Sequence, residues 1–189
     1  MIIEPLQKDK HQRVPFTCGK EPLDRFLHEH AYQAVAKNLS KTYVAVDETD
    51  ETVILGYYTV ATCRIEAGEI PEDVAHRLRL PGSDLPGSLV ARLAVLERVK
   101  GQGVGSLMLM DAMARCARVS NEIGGVAIVV DALEPAVVGF YERFGFTRFE
   151  PDSLKLFILM ATVQKMLDIE TAGRKNPQAA VAVELEASA

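Results

Sequence analysis

The sequence contains no tryptophan, and aromatic residues make up only 6% of its 189 residues. A buried core must therefore be built from aliphatic side chains, the usual filling between helices and a sheet. Only three cysteines occur, Cys18, Cys63 and Cys116, and no two of them form a C-x-x-C pair. Their number and spacing argue against a disulfide framework or a zinc site, so we expect three reduced thiols.

Long apolar runs are also absent. No window of the sequence approaches the length of a transmembrane helix, and Glu4, Pro5 and Lys8 stand where a secretory signal needs its apolar run. His28 and His30 are two residues apart, which on a helix lacks the i, i+4 geometry of a zinc-binding H-E-x-x-H motif. We therefore expect a cytoplasmic protein that binds no membrane and no metal.

The composition and the charge predict one globular domain without strong overall charge. Hydrophobic residues make up 48% of the chain, enough for a core that needs no disulfide or metal. The formal net charge of −5 gives no overall attraction to nucleic acid. Between Arg77 and Arg118, however, seven basic residues stand against three acidic ones. If the fold gathers them on one face, that face can bind polyphosphates; solvated helix charges are the alternative.

The apolar pattern predicts strands and helices in alternation, a mixed α and β fold built on one sheet. Strands are expected at 1–6 on a sheet edge, at 42–46 and 53–61 as a hairpin, at 89–96, at 126–130 and, closing the sheet, at 155–166. Helices are expected near Pro22 and over 72–80, 103–119 and 135–144. From about residue 170 the sequence has no lasting apolar face. We therefore predict a domain over 1–169 and a flexible tail over 170–189.

A glycine-rich turn between a predicted strand and a predicted helix has the sequence Lys100-Gly101-Gln102-Gly103-Val104-Gly105-Ser106. A helix start offers unpaired N–H groups and a partial positive charge, and glycines let phosphate oxygens approach the backbone, so an anionic ligand is expected. A dinucleotide fingerprint fails because Ser106 or Met108 stands where its last glycine is needed, and no P-loop Lys-Ser/Thr follows. A glycine turn that makes only a tight connection remains the alternative.

Two segments resemble the GNAT N-acetyltransferases. Residues 100–105 are similar to the family's pyrophosphate loop Q/R-x-x-G-x-G/A, with Lys100 in place of Gln or Arg, and residues 140–146 are similar to its F-Y-x-x-x-G-F segment. The resemblance implies an α/β (α+β) fold, in which a mixed, mostly antiparallel sheet is flanked by helices and its splayed central strands hold acyl-CoA. It also implies acetyl-CoA as co-substrate, direct attack of an amine on the thioester, and Tyr141 as general acid. The residues implied for coenzyme binding are Leu93, Ala94, Val95, Lys100, Gly101, Gln102, Gly103, Val104, Gly105, Ser106 and Phe140.

A narrower resemblance is to the GNAT toxins of toxin–antitoxin pairs. It rests on Phe16-x-Cys18-Gly19, Leu23-Asp24-x-Phe26-Leu27, Thr42-Tyr43-Val44, Gly56-Tyr57-Tyr58 and Arg92-Leu93-Ala94-Val95. The resemblance implies acetylation of the amino group of the amino acid on a charged tRNA, a block of translation, and a ribbon-helix-helix antitoxin as partner. The candidates for contacting tRNA phosphates are Arg77, Arg79, Arg92 and Arg98. Whether the sheet edges also build a homodimer is left open.

Two alternatives to the toxin remain open from the sequence alone. One is a GNAT enzyme that acetylates a small-molecule or protein amine. The other is a regulatory module that binds acyl-CoA without turnover, which stays open because Lys100 departs from the family's usual loop. No side chain is identifiable from the sequence as a general base. Glu97 and Asp131 lie near strand ends and are candidate aids to deprotonation, although solvated turn carboxylates are the favoured interpretation. Water suffices to deprotonate an aminoacyl amine, which is more acidic than lysine.

Overall fold

One sheet of seven strands, in the order β1-β2-β3-β4-β5-β7-β6, organises the computed structural model, which describes residues 1–66 and 68–175 and side chains through 169. The strands are β1 (Ile2–Pro5), β2 (Lys41–Val46), β3 (Ile54–Ile65), β4 (Leu85–Val95), β5 (Ala127–Asp131), β6 (Thr147–Arg148) and β7 (Lys155–Leu159). The helices are α1 (Glu21–Arg25), α2 (Ala31–Ala36), α3 (Glu72–Leu78), α4 (Val104–Ile123), α5 (Val138–Glu142) and α6 (Met160–Lys175). A π-helical turn, Phe26–His30, joins α1 to α2, and 3-10 turns occupy Glu97–Val99 and Pro135–Val137.

Strands β4 and β5 separate part-way along their length. Their pairing is parallel and covers Gly87–Val90 and Ala127–Val130, whereas the other neighbouring strands are antiparallel. Beyond Val90, β4 continues to Val95 beside β3 alone. A bulge lies at the point of separation, since Ala91 is the extra residue between two β3-paired neighbours. The predicted mixed, mostly antiparallel sheet with splayed central strands is therefore confirmed.

Alternate residues of the strands cover two differently packed faces of the sheet. On one face Tyr58, Val90 and Val130 pack with Met108 and Leu109 of α4, and we call this the α4 face. Apolar periodicity along α4 provides the matching stripe, because residues three or four apart share one side of a helix. The long α4 helix therefore crosses directly behind the splayed strands.

The opposite face carries the N-terminal helices. Tyr57 and Ala94 pack there with Leu27 of the π-helical turn, and we call this the α1 face. Farther along the same face, Ile65 and Val129 form a separate cluster with side chains of α3. The α1 face thus has two helical covers, one at each end of the splay.

The predicted strand over 155–166 is wrong beyond Leu159. There β7 ends and α6 begins, and the side chains of Met160 and Val163 are buried against the α4 face. The apolar run passes from a buried strand straight into the buried side of a helix, so hydrophobicity gives no sign of the boundary. Strand β6 has two residues, too few for a periodic signal, and the helix predicted over 135–144 is a 3-10 turn followed by the short α5.

The other predicted elements are confirmed, with boundaries shifted by a few residues. Strand β1 lies at a sheet edge, β2 and β3 form the hairpin, and Pro22 lies in the first turn of α1. The backbone of α6 continues to Lys175, and residues 176–189 of the predicted tail lie outside the described residues. The boundary at 169 therefore stays a prediction. Within the described part of the chain, no helix is long and apolar enough to cross a membrane.

Candidate active site

A cleft of about 620 Å³ opens where β4 leaves β5. The second half of β4, the glycine turn and the start of α4 form one side, and the β5–α5 connection forms the other. Among the predicted site residues, those that line it are Arg92, Leu93, Ala94, Val95, Lys100, Gly101, Gly103, Val104, Gly105, Ser106, Phe140 and Tyr141. Gln102 is exposed and outside this lining, where its amide donates to the Arg98 carbonyl at 3.4 Å.

The glycine turn has the backbone of an anion-binding helix start. Gly101 and Gly103 adopt φ values of 77° and 84°, in the left-handed region that side chains disfavour. A Cβ at either position would meet open space, so nothing on the protein side fills the room above them. The first N–H groups of α4, from Val104 onward, lack intrahelical partners and carry the positive end of a helix of 20 residues. This end of the cleft therefore suits a phosphate group.

The side chain of Lys100 fastens the glycine turn to the N-terminal segment. Its Nζ donates to the carbonyl oxygen of Cys18 at 2.6 Å. The Glu97 carboxylate lies beside the next residue, Gly19, 3.2 Å from where a Cβ of that glycine would stand. The backbone N–H of Glu97 also donates to the carbonyl of Thr17 at 2.9 Å. The Lys100 ammonium group thus already has a protein partner, although the residue lines the cleft.

The free edge of β4 forms the middle of the cleft. Leu93 and Ala94 pair with β3, and in an antiparallel ladder alternate residues direct their N–H and C=O groups to the other side. That side is open between Ala91 and Val95, because β5 has departed. Gly105 of α4 packs beside this edge, where a Cβ would lie 3.4 Å from the Val95 side chain, at the limit of ordinary van der Waals contact. The edge can therefore accept one further extended chain.

Tyr141 brings a protonated phenol into the cleft from α5. Its ring is 7% exposed and packs edge-on against Phe140 and Phe146, at centroid distances of 5.2 and 5.8 Å. Burial raises the pKa of Tyr141 to about 12, so the hydroxyl keeps its proton at neutral pH. Among the described residues, no group forms a hydrogen bond with this hydroxyl, which leaves it available to a ligand.

The thiol that lines the cleft is not a nucleophile. Cys18 is buried, and desolvation, followed by a hydrogen bond with Asp24, raises its pKa to about 11. A thiol of that pKa is almost entirely neutral at pH 7, and the thiolate is the reactive form. Cys63 and Cys116 are also free, and burial raises the pKa of each. The raised pKa of Cys18 therefore favours direct transfer over an acyl-cysteine intermediate.

Sequence reasoning missed the N-terminal wall of the cleft. This wall consists of Cys18, Lys20 and Leu23. Lys20 lies just before α1, and its side chain forms an ion pair at 2.8 Å with Glu134. Glu134 lies just before the Pro135–Val137 turn, on the other side of the cleft. Arg143 of the segment after α5 lines the cleft as well. The only available signal was the Phe16-x-Cys18-Gly19 motif, which marked this segment without indicating what it would face.

The basic residues between Arg77 and Arg118 do not form one continuous face. Arg77 and Arg79 are exposed at the end of α3, and Arg98 is exposed beside a second cavity of about 500 Å³ that Glu97 also lines. Arg115 pairs with Asp111 at 2.7 Å within α4. Of the four arginines predicted to contact tRNA, the cleft therefore contains one.

That residue is Arg92, which lies on the α1 face of β4. Its guanidinium is 3.7 Å from the centroid of the Phe26 ring, a stacking that fixes a charged group without neutralising it. Asp131, suggested above as an aid to deprotonation, also lines the cleft, whereas Glu97 does not. The cleft thus runs through the sheet, with the phosphate-binding end beside α4 and a mixed-charge mouth on the α1 face.

Comparison with protein families decides the identity of this fold. The profile of the acetyltransferase (GNAT) domain matches residues 38–148, which span β2 to β6 and contain the glycine turn, Phe140 and Tyr141. The chain belongs to the GNAT acetyltransferase family. It is an acetyl-CoA-dependent N-acetyltransferase, as the two sequence motifs predicted.

Curated relatives of this GNAT protein include two toxins. It is 27% identical over 173 residues to the probable toxin TacT of Sinorhizobium fredii (strain NBRC 101917 / NGR234), covering 88% of this chain and 94% of the relative. It is 30% identical over 159 residues to the tRNA-acetylating toxin of Mycobacterium tuberculosis (strain ATCC 25618 / H37Rv), covering 84% and 92%. The predicted similarity to GNAT toxins is confirmed over nearly the whole length of both relatives.

Solved structures of the toxin AtaT have the same fold as this GNAT domain. AtaT complexed with acetyl-methionyl-tRNAfMet superposes with a TM-score of 0.80 at 25% identity, covering 88% of this chain and 98% of that one. A tyrosine-to-phenylalanine variant of AtaT bound to the C-terminus of the antitoxin AtaR gives a TM-score of 0.74 at 25% identity, covering 87% and 96%.

Proposed function

We propose that this acetyltransferase transfers the acetyl group of acetyl-CoA to the α-amino group of the amino acid on a charged tRNA, and so acts as a toxin that blocks translation. The observation that carries the proposal is the 30% identity to a tRNA-acetylating toxin over 84% of the chain. The similarity to AtaT, solved with an acetylated aminoacyl-tRNA, supports the same substrate. Charged tRNA and the translation machinery place the reaction in the cytoplasm.

The coenzyme enters from the α4 face. Its pyrophosphate lies on the N–H groups at the start of α4, with Gly101 and Gly103 giving it room. The pantetheine chain pairs with the free edge of β4 at Leu93–Val95, where β5 has left the ladder open. Phe140 covers the other side. In this proposed binding mode the thioester lies in the splay, which Tyr141 also lines.

The transfer itself needs no covalent intermediate on the protein. The ammonium form of the acceptor, with a pKa at or below about 8, first loses a proton to water. The nitrogen lone pair attacks the thioester carbonyl carbon, which a free N–H of β4 polarises. The C–N bond forms, the C–S bond breaks, and the departing thiolate takes the phenolic proton of Tyr141. The acetylated nitrogen then returns its extra proton to the phenolate.

The tRNA approaches the other mouth of the cleft, on the α1 face. Arg92 is fixed at this mouth over Phe26, and Arg77 and Arg79 are exposed on α3, which covers the same face. Cations in these positions suit the phosphates of an acceptor stem. The acceptor and the coenzyme thereby enter from opposite faces of the sheet and meet in the splay.

The toxin assignment implies a protein partner. We infer that a ribbon-helix-helix antitoxin neutralises this protein through its own C-terminal segment. The AtaT structure with the C-terminus of the antitoxin AtaR supports this mode of binding. Co-expression with the protein encoded next to it, followed by purification and a transfer assay, tests the inference: a stable complex with suppressed activity is expected. Absence of a complex would contradict it.

The transfer of labelled acetyl tests the main proposal. Wild type and Tyr141→Phe are incubated with radiolabelled acetyl-CoA and total aminoacyl-tRNA, with uncharged tRNA and simple amines as parallel acceptors. Label is expected on the aminoacyl group alone, and the Tyr141→Phe rate should fall by about 10²- to 10⁴-fold with coenzyme affinity unchanged. The AtaT complex with AtaR carries the same type of substitution, tyrosine to phenylalanine.

The same assay separates the alternatives. Label on small amines or proteins but not on charged tRNA would leave the enzyme assignment intact and remove the toxin. Coenzyme binding without any transfer would indicate a regulatory module. The free phenol of Tyr141 in the cleft argues against such a module, because a binding protein has no use for a proton donor at that position.

A further inference from the structure

The ion pair between Lys20 and Glu134 has no role in the reaction described above. The two residues are 114 positions apart in sequence, and Nζ and Oε2 are 2.8 Å apart. Both line the cleft, Lys20 from the N-terminal wall and Glu134 from the β5–α5 connection. The pair therefore spans the gap that an acceptor must pass.

The pair lies on the α1 side of the cleft. Cys18 and Leu23, on either side of Lys20, belong to the apolar cluster of the α1 face. The coenzyme end is formed by Gly105 and Phe140 on the α4 face, where Phe140 packs with the α4 cluster. Glu134 reaches across the splay to the α1 side to meet Lys20. An amine that enters from the α1 face thus passes this pair.

The N-terminal wall holds Lys20 in place through its neighbours. Asp24 accepts a hydrogen bond from the backbone N–H of Cys18 at 2.8 Å, and Tyr57 donates to the carbonyl of Leu23 at 2.8 Å. Lys100 donates to the carbonyl of Cys18. The backbone on both sides of Lys20 is therefore fixed by these hydrogen bonds, and this limits where its ammonium group can lie.

The pair itself is exposed and easily exchanged. The side chains of Lys20 and Glu134 are 43% and 39% exposed, and an ion pair in that setting contributes little to the stability of a fold. Its partner groups are a carboxylate and an alkylammonium. The acceptor of this enzyme arrives as an alkylammonium as well, since an α-amino group is largely protonated at neutral pH.

We propose that Glu134 is the residue that recognises the ammonium group of the acceptor, and that Lys20 occupies this site until the acceptor displaces it. The proposal rests on the proposed function, because it takes an aminoacyl ester as the incoming cation. Binding exchanges one N–H···O⁻ contact of Glu134 for another, and the displaced Lys20 ammonium, whose side chain is 43% exposed, is then hydrated by solvent. Glu134 is a binding residue here, and the proton is lost to water after the exchange.

The test uses steady-state kinetics on the full chain with the charged tRNA that wild type labels best. Uncharged tRNA serves as a competitive inhibitor, because it shares the phosphates of the substrate but lacks its amino group. The ratio of KM for charged tRNA to Ki for uncharged tRNA therefore isolates recognition of the aminoacyl group, and the loss of charge in Glu134→Gln tests the part that depends on its ammonium group. Glu134→Gln should raise this ratio about tenfold, the loss expected for a hydrogen-bonded charge partner, with KM for acetyl-CoA unchanged. Lys20→Met should leave the ratio unchanged or lower it.

A purely structural pair gives the opposite pattern. Both single variants would then raise the ratio or lower the activity equally. The charge-swapped Lys20→Glu/Glu134→Lys protein would recover the wild-type ratio and activity. That pattern, or an unchanged ratio in Glu134→Gln, overturns the proposal. Glu69→Gln is the matched control, because Glu69 pairs with Lys155 at 2.5 Å outside the cleft. If wild type labels no charged tRNA at all, the proposed function fails first, and the two failures are distinguishable.

Discussion

Tyr141 shows how burial suits a single side chain to the role of general acid that we propose for it. A phenol in water titrates near 10, but the apolar surroundings of Tyr141 disfavour the phenolate and raise its pKa to about 12. The group therefore remains a proton donor over the whole range in which the acceptor amine becomes nucleophilic. A protonated phenol and a deprotonated amine can therefore be present at the same pH.

A pH profile of kcat/KM follows from this separation. The profile should rise with pH through one inflection at or below about 8, where the acceptor amine deprotonates, and should stay level to about pH 10. Because the pKa of Tyr141 is raised, its protonated form is lost only as pH approaches 12. The measurement uses an amide-linked aminoacyl-RNA, which resists hydrolysis at high pH. A descending limb between pH 8 and 10 would contradict the assignment of Tyr141 as the acid.

Individual site residues were predictable where a local pattern carries them. Phe140 and Tyr141 follow from one short motif, and the glycines of the turn follow from the physics of a helix start. Lys20 and Glu134 were not predictable, because their pairing depends on a contact between segments 114 positions apart. Lys100 was predicted to contact the coenzyme, but its bond to the Cys18 carbonyl depends equally on such a distant contact.

At the scale of elements, the glycine turn combines two separate requirements. Gly103 needs the left-handed backbone that starts α4, and the space above it must stay empty for an anion. Apolar periodicity predicted both flanking elements, since strand and helix differ clearly in period there. The same method failed at the β7–α6 boundary, where Met160 continues the apolar run of the strand.

Gly103→Ala tests the turn. A side chain at φ 84° costs about 1–2 kcal/mol, and its methyl group would occupy the space reserved for the ligand, so the acetyl-CoA Kd should rise about tenfold. Isothermal titration with acetyl-CoA measures this change. Gly139→Ala is the control, because Gly139 lies in α5 with open space around its Cβ position and no positive φ. Equal affinity in wild type and Gly103→Ala would show that the turn does not hold the pyrophosphate.

At the scale of the whole molecule, the proposed function has the two substrates kept apart by the sheet until they meet. The splay lets one cleft pass through the sheet, and in this proposal α4 binds the coenzyme on one face while the N-terminal helices bind the acceptor on the other. The order of elements predicted the sheet and its helices, but not which face each arginine would occupy. The charge count between Arg77 and Arg118 suggested one basic face, and the structure distributes those residues over several places.

The salt dependence of tRNA binding tests which face of the protein the tRNA contacts. If tRNA lies on the α1 face, replacing Arg77 and Arg79 by alanine should lower the slope of log K against log[salt] by about 1 for each lost phosphate contact. Arg118→Ala is the control, since Arg118 is exposed on α4 at the opposite face and should leave the slope unchanged. Filter binding of charged tRNA between about 50 and 200 mM salt measures all three slopes. An equal decrease in the Arg118 variant would mean that tRNA contacts do not select the α1 face, and a decrease only there would move the acceptor mouth to the α4 side.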